Sequence, residues 1–166
     1  LIHSKWSDGS ETWYNANRDV LHRKFPDGYE EWYDTNGKCV HYKDSDGDET
    51  WYEYDANGNM VHAKDSDGPE QWYNINGKKV YEKDDVESEF WYDSDEHLIH
   101  AKYSTGLEQW YDANGKCIHY KDSDGDEDWF DTNGNKIHEK ASDGYERWYE
   151  YDANGNMIHT KFSDGE

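Results

Sequence analysis

The sequence is poor in what a globular core needs. Only 33% of its 166 residues are hydrophobic, with four Phe, two Met and two Cys. That is low for a conventional domain. No long apolar run exists, so no transmembrane helix is expected. Proline occurs twice, and no stretch keeps a helical period long enough to specify a helix. Basic residues are also few, 17 Lys and Arg against 39 Asp and Glu, for a net charge of −22. Such acidity argues against nucleic acid and anionic membrane surfaces as partners. Low hydrophobicity with high net charge is the usual mark of disorder. Here a strict internal repeat and 17% aromatic residues oppose that outcome.

Self-similarity organises the chain. Residues 51–68, WYEYDANGNMVHAKDSDG, return almost unchanged at residues 148–165. Units run over residues 1–19, 20–38, 39–59, 60–78, 79–97, 98–116, 117–135 and 136–156, with a half unit at 157–166. Two units are longer because Glu-Tyr is inserted after Trp-Tyr, at Glu53-Tyr54 and Glu150-Tyr151. Each unit holds two short runs of period two, such as Met60-Val61-His62-Ala63-Lys64 and Glu70-Gln71-Trp72-Tyr73. Alternation with β-branched and aromatic residues specifies strands. Ser-Asp-Gly fits a three-residue hairpin loop with glycine in the left-handed position. Asn-Gly is expected to make a second, slightly longer turn.

The expected fold is all-β, an antiparallel meander of about 17 strands. It is built from eight and a half hairpin repeats of 19–21 residues, forming a single elongated sheet that twists or spirals. Loop length fixes register. Lys5 should face Glu11, His3 should face Trp13, and Ile2 should face Tyr14. Across the next turn Trp13 should face His22, Glu11 should face Lys24, and Tyr14 should face Leu21. Carried through all units, three rows emerge. One alternates Lys and Glu, passing through Glu49, Lys64 and Glu70. A second alternates His and Trp, passing through Trp51, His62 and Trp72. A third, on the opposite face, alternates aliphatic residues with Tyr, including Tyr73. The structural ladder residues of one unit are therefore His62, Lys64, Glu70, Trp72 and Tyr73. Many cross-strand pairs of about 0.2–1 kcal/mol each would replace a core, as in repeat proteins.

The two faces differ in constancy. His, Lys, Glu and Trp repeat with little change, and that face is expected to be the inner or concave one. The other face varies, with Trp6, Phe25, Asp44, Tyr103 or Phe162 in one place and Thr50, Gln71, Phe90 or Arg147 in another. It is expected to look outward. Unit 79–97 breaks the pattern: it has Tyr81 in place of His, Asp85-Val86-Glu87 in place of Ser-Asp-Gly, and Asp95-Glu96-His97 in place of Asn-Gly. Without glycine, a different turn is expected there. Cys39 and Cys117 occupy the same position four repeats apart; at strand spacing in a flat sheet they would lie roughly 38 Å apart. That excludes a disulfide, and free thiols leave the compartment open. The two edge strands, at Leu1 and Met157, are unprotected. They imply further repeats of the same parent chain, or end-to-end self-association.

Candidate chemistry is sparse. Asp44, Asp46 and Asp48, and likewise Asp122, Asp124 and Asp126, crowd oxygen atoms around a glycine as calcium loops do. The EF-hand spacing is missing, however, and turn formation alone accounts for these residues. Successive histidines of one row stand two strands apart, roughly 10 Å, too far to share zinc at about 2 Å. No catalytic or cofactor-binding residue is expected. Enzymes gather unlike groups in one cleft, and here like groups are spread evenly.

Tyr54-Asp55-Ala56-Asn57-Gly58-Asn59, with Met60 and then Asp67-Gly68, resembles the YD repeat of bacterial RHS proteins. Tyr151 to Asn156, with Met157 and Asp164-Gly165, matches as well. The resemblance implies a spiralling antiparallel sheet in a surface or toxin-associated protein, extracellular or at the cell surface. Trp-Tyr followed by Asn-Gly-x-Met is also similar to choline-binding cell-wall repeats, though the Gly-Trp of their ligand cage is absent. MORN-type repeats share the hairpin per unit. The expected function is a non-enzymatic scaffold or protein-interaction module. Two alternatives are an acidic immunity-type protein that binds a basic toxin, and a carbohydrate-binding surface module.

Overall fold

The computed structural model describes residues 2–165. Leu1 and Glu166, the outermost residues of the expected array, lie outside the described residues. The chain is all-β, with no helix among the described residues, and its contacts divide it into two compact units, Leu1–Asp85 and Val86–Glu166. The first unit holds β1 (Ile2–Lys5), β2 (Glu11–Tyr14), β3 (Val20–Lys24), β4 (Glu30–Tyr33), β5 (Cys39–Lys43), β6 (Glu49–Tyr54), β7 (Met60–Asp65), β8 (Glu70–Tyr73) and β9 (Lys79–Lys83). The second holds β10 (Glu89–Tyr92), β11 (Leu98–Lys102), β12 (Glu108–Tyr111), β13 (Cys117–Lys121), β14 (Glu127–Phe130), β15 (Lys136–Lys140), β16 (Glu146–Tyr151) and β17 (Met157–Phe162). Within each unit every strand pairs antiparallel with its neighbour in sequence. The fold class expected from the repeat is the one observed, a meander of seventeen strands.

The turns explain why the strands end where they do. In the first hairpin Trp6 N–H donates to Ser10 O, and Gly9 N–H donates to Trp6 O. In an Asn-Gly turn Asp34 N–H donates to Lys38 O, and Gly37 N–H donates to Asp34 O. The two turn types are thus the same length, and the expected longer second loop is not found. The difference is absorbed as a β-bulge between Trp13 and Tyr14, which sets Tyr14 opposite Val20 rather than Leu21. Asp opens most of these turns because its carboxylate caps them: Asp34 Oδ1 accepts from the N–H groups of Asn36 and Lys38. Backbone bonds from Lys38 and Asn36 outweigh desolvation and hold the Asp34 carboxyl below its ordinary value.

Unit 79–97 does not need a different turn. Glu96 takes the glycine position at φ 70°, Glu96 N–H donates to Asp93 O, and Asp93 Oδ1 caps Asp95 and His97. Arg18 does the same in the first Asn-turn at φ 72°. Sequence alone overstated the need for glycine: a left-handed non-glycine residue is uncommon but tolerable when the turn around it is fixed.

Neither unit has a conventional core. Ala101 is the one buried hydrophobic residue among those described, and Thr12, Thr50, His62 and Ser88 are the buried polar ones. Thr12, Thr50 and Ala101 lie on the variable face. That face, expected to look outward, is therefore not the more exposed of the two.

Candidate functional site

The ladder face is best seen at β7 and β8. His62 stands opposite Trp72 and Lys64 opposite Glu70. The imidazole stacks on the indole with ring centres 3.9 Å apart and planes 17° apart. His62 Nε2 lies 2.9 Å from Glu70 Oε1, and Trp72 Nε1–H donates to the same oxygen at 2.9 Å. Lys64 Nζ is 3.9 Å from Oε2. On the strand's other side His62 Nδ1 meets Glu53 at 3.3 Å. One carboxylate thus collects an imidazole, an indole and an ammonium. Burial pushes the Glu70 carboxyl up, but the bonds from Trp72 and His62 and the Lys64 charge prevail and hold it below its ordinary value. Tyr73, on the opposite face, donates its hydroxyl to Gln71.

The same constellation recurs. Glu30 binds His22 Nε2 and Lys24 Nζ, both at 2.8 Å. Glu11 does so with His3 and Lys5, again at 2.8 Å. In the second unit His100, His119 and His138 reach Glu108, Glu127 and Glu146. Trp13, Trp32, Trp110 and Trp129 each sit between two imidazoles: Trp32 lies 4.6 Å from His22 and 4.2 Å from His41. His62, Lys64, Glu70 and Trp72 are therefore on one face, with Tyr73 on the other, but two links of the rows are corrected. Across β6 and β7, Trp51 faces Lys64 and Glu53 faces His62. Across β16 and β17, Trp148 faces Lys161 and Glu150 faces His159. The inserted Glu-Tyr lengthens β6 and β16 by two residues, so each row slips one step there. The expected neighbours Glu49 and Lys64, and Trp51 and His62, are not paired.

The insertion also supplies a contact that sequence reasoning missed. Tyr54 hydroxyl donates to Cys39 O at 2.9 Å, and Tyr151 hydroxyl to Lys136 O at 2.7 Å. The second Tyr of the motif is a strap onto the start of the preceding strand. Its signal was present in the sequence as the insertion itself. Both cysteines are free and half-buried, and desolvation raises their thiols despite a backbone hydrogen bond.

Of the candidate calcium ligands, the Asp44 and Asp122 carboxylates are engaged in turn formation. Asp44 Oδ1 accepts from the N–H groups of Asp46, Gly47 and Asp48. Asp122 Oδ1 accepts from Asp124 and Asp126, and Asp126 Oδ1 accepts from Ser142 N–H at 2.7 Å. Among the described residues, no group of three or more His, Cys, Asp or Glu is arranged to hold a metal ion.

The variable face differs from unit to unit. In the first, Phe25, Tyr29, Tyr42 and Tyr52 form a band with successive ring centres 5.5, 5.8 and 6.4 Å apart. Tyr29 and Tyr33 both donate to Glu31. Desolvation, then the Glu31 hydrogen bond, push both phenols up to about 12. In the second, a groove of about 290 Å³ is lined by Tyr120, Asp128, Glu139, Tyr145 and Arg147 among others. Lys136 bridges Asp128 at 2.8 Å and Glu139 at 3.2 Å, and Arg147 reaches Glu139 at 3.1 Å.

Comparison with known proteins fits this picture at the level of the repeat. A search of curated proteins returns no match. Among solved structures, the wild-type TCP10 domain of Danio rerio CPAP is similar at 15% identity, over 96% of this chain and 99% of that one, with a TM-score of 0.48. The G-box domain of the microcephaly protein CPAP is similar at 17% identity, over 86% and 92%, with a TM-score of 0.45. The Photorhabdus luminescens Tc holotoxin pore, with a TccC3 mutation, is similar at 17% identity over 93% of this chain and 10% of that one, with a TM-score of 0.29. The model of the RHS repeat matches residues 33–70, which include the Tyr54–Asn59 motif, and over that stretch the chain is similar to RHS repeat proteins.

Proposed function

We propose that the chain is a non-enzymatic repeat scaffold that presents a protein-binding surface, a module of an RHS-type protein. One observation carries this reading: most His, Glu and Trp side chains of the constant face are engaged with one another by stacking and hydrogen bonds. A group already stacked on both sides and hydrogen-bonded to its neighbour has little left for a ligand. The opposite face repeats its backbone but not its side chains, so it can acquire specificity without disturbing the ladder. Its Phe25–Tyr52 aromatic band and its acidic surroundings suit a basic, aromatic or proline-rich protein segment. The RHS-repeat match supports the scaffold itself. The spreading of like groups in rows supports the absence of catalysis.

Selection of peptides from a displayed library tests the reading. Binders should lose at least tenfold in affinity when Tyr29 and Tyr42 become Ser, with the thermal melt unchanged. Binders that map to the ladder face, or a library with no enrichment, would overturn it.

A further inference from the structure

Asparagine followed by glycine is a chemically fragile pair, and this chain carries six: Asn36, Asn57, Asn76, Asn114, Asn133 and Asn154 each precede a glycine. Glycine has no β-carbon to hinder approach to its own nitrogen. Once that nitrogen loses its proton it can attack the asparagine Cγ. A C–N bond forms, the Cγ–Nδ2 bond breaks, and Nδ2 takes a proton from water and leaves as ammonia. Water then opens the succinimide ring at either carbonyl, giving aspartate or isoaspartate. All six asparagines are exposed, so burial does not keep water from them.

Hydrogen bonds protect them instead. In all six turns the glycine N–H, the source of the nucleophile, donates to the carbonyl three residues back at 2.9–3.1 Å. Its proton is held like that of an exchange-protected amide. The asparagine N–H is tied as well, to Oδ1 of the residue two places earlier, at 2.8–2.9 Å. Ring closure must turn the Asn–Gly peptide plane, which breaks the glycine's bond. The two products differ in what they do to the fold. Ordinary aspartate already occupies the same place in the Ser-Asp-Gly turns, where Asp46 N–H reaches Asp44 Oδ1 as Asn36 N–H reaches Asp34 Oδ1. Isoaspartate runs the main chain through Cβ and Cγ, and so adds a carbon to a loop whose length sets the register.

We propose that the six Asn-Gly turns are latent deamidation sites, closed while their hairpins are paired and opened by unfolding, and that isoaspartate formed there makes the unfolding irreversible. The proposal goes beyond the scaffold reading and does not depend on it. Asn17 is the internal control. It holds the same place in an equivalent turn, with Arg18 N–H donating to Asn15 O at 3.2 Å, but the β-carbon of Arg18 hinders the attack even in an open chain.

Incubation in mildly alkaline buffer, folded or in guanidinium chloride, followed by peptide mapping with mass spectrometry, tests this. Each of the six asparagines should convert at least tenfold more slowly in the folded chain, equivalent to a local opening free energy of at least about 1.4 kcal/mol. Asn17 should stay intact in both. Asp34→Ala, which removes the cap on Asn36, should speed conversion of Asn36 several-fold in the folded chain and leave Asn114 unchanged. Chains held unfolded until they convert should fail to regain their far-ultraviolet circular dichroism, whereas a chain with Asn→Ser at all six turns should regain it. Equal rates in the folded and unfolded chain, an Asn36 indifferent to Asp34→Ala, or full refolding of chains that carry isoaspartate would each overturn the proposal.

Discussion

Stacking in the ladder should be measurable as pairwise coupling, and the slipped register makes an internal control. Trp32 is sandwiched between His22 and His41, at 4.6 and 4.2 Å with planes within 17°. Trp51 has His41 on one side at 5.0 Å but Lys64 on the other, and is 41% exposed. An aromatic stack contributes about 0.5–1.5 kcal/mol beyond area burial. Trp32→Leu should thus lose about 2 kcal/mol of stacking and Trp51→Leu about 1 kcal/mol. The sharper quantity is the coupling from double-mutant cycles. Trp32→Leu combined with His41→Gln should couple by about 1 kcal/mol. Trp51→Leu combined with His62→Gln should be additive to within about 0.3–0.5 kcal/mol, although the two residues are neighbours in the sequence-level row. Urea unfolding at pH 8, followed by far-ultraviolet circular dichroism, gives each ΔΔG. The m-value must stay constant across the cycle, because repeat arrays can leave two-state behaviour. Equal coupling in both cycles would refute the slip, and zero coupling in both would refute stacking as a source of stability.

Three other outcomes follow from the turns and the insertion. Deleting Glu53 and Tyr54 should return Trp51 to a position opposite His62 and remove the strap onto Cys39 O; cross-strand nuclear Overhauser effects that still join Trp51 to Lys64 would contradict this. Replacing Arg18 or Glu96 with Gly should raise stability by about 1 kcal/mol, the left-handed penalty of a β-carbon, whereas Gly58→Ala should lower it, since φ is +83° and the new carbon would sit 3.3 Å from Lys38 Cε; urea midpoints decide both. Finally, the turn carboxyls of Asp34, Asp55, Asp93, Asp112, Asp131 and Asp152 are all held below the unfolded value of 3.8 by hydrogen bonds. A lowered folded-state pKa gives stability that is full above the unfolded value and is lost as pH falls through the folded one. The melting temperature should therefore fall below about pH 3.8, and Asp→Asn at all six turns should flatten that fall, because Asn15 and Asn74 already cap their turns through Oδ1.

Much of this fold was legible because one register had to satisfy three rows at once. His3, Lys5, Glu11 and Trp13 could be paired from sequence since a loop of fixed length leaves one choice of face. What escaped was local backbone detail. The bulge at Trp13 and Tyr14 has no side-chain signature, so Tyr14 was matched to Leu21 rather than Val20. Glu96 in a left-handed turn escaped because its propensity argues against it, and only the Asp93 cap around it makes the conformation acceptable. The candidate site was less legible than the fold. Asp44 and Asp122 offer oxygen atoms to either a cation or their own backbone, and composition cannot tell these uses apart.

The two-residue insertion shows why the slip is tolerated. Side chains alternate with period two, so adding two residues leaves every one on its original face, whereas adding one would send each to the opposite face. A slip by one pair should still unmake the rows, since His62 loses the indole of Trp51. The inserted residue is Glu, however, and Glu53 lies opposite His62 and binds its Nδ1. The displaced Trp meets a lysine instead, and at the second insertion Lys161 Nζ lies 5.5 Å from the Trp148 ring, within the range of a cation–π contact. Each partner lost is replaced by one of compatible chemistry. The ladder is therefore specified by complementarity between strand types more than by strict periodicity, and any strand bearing Glu and Trp at the right spacing meets the requirement of a His–x–Lys edge.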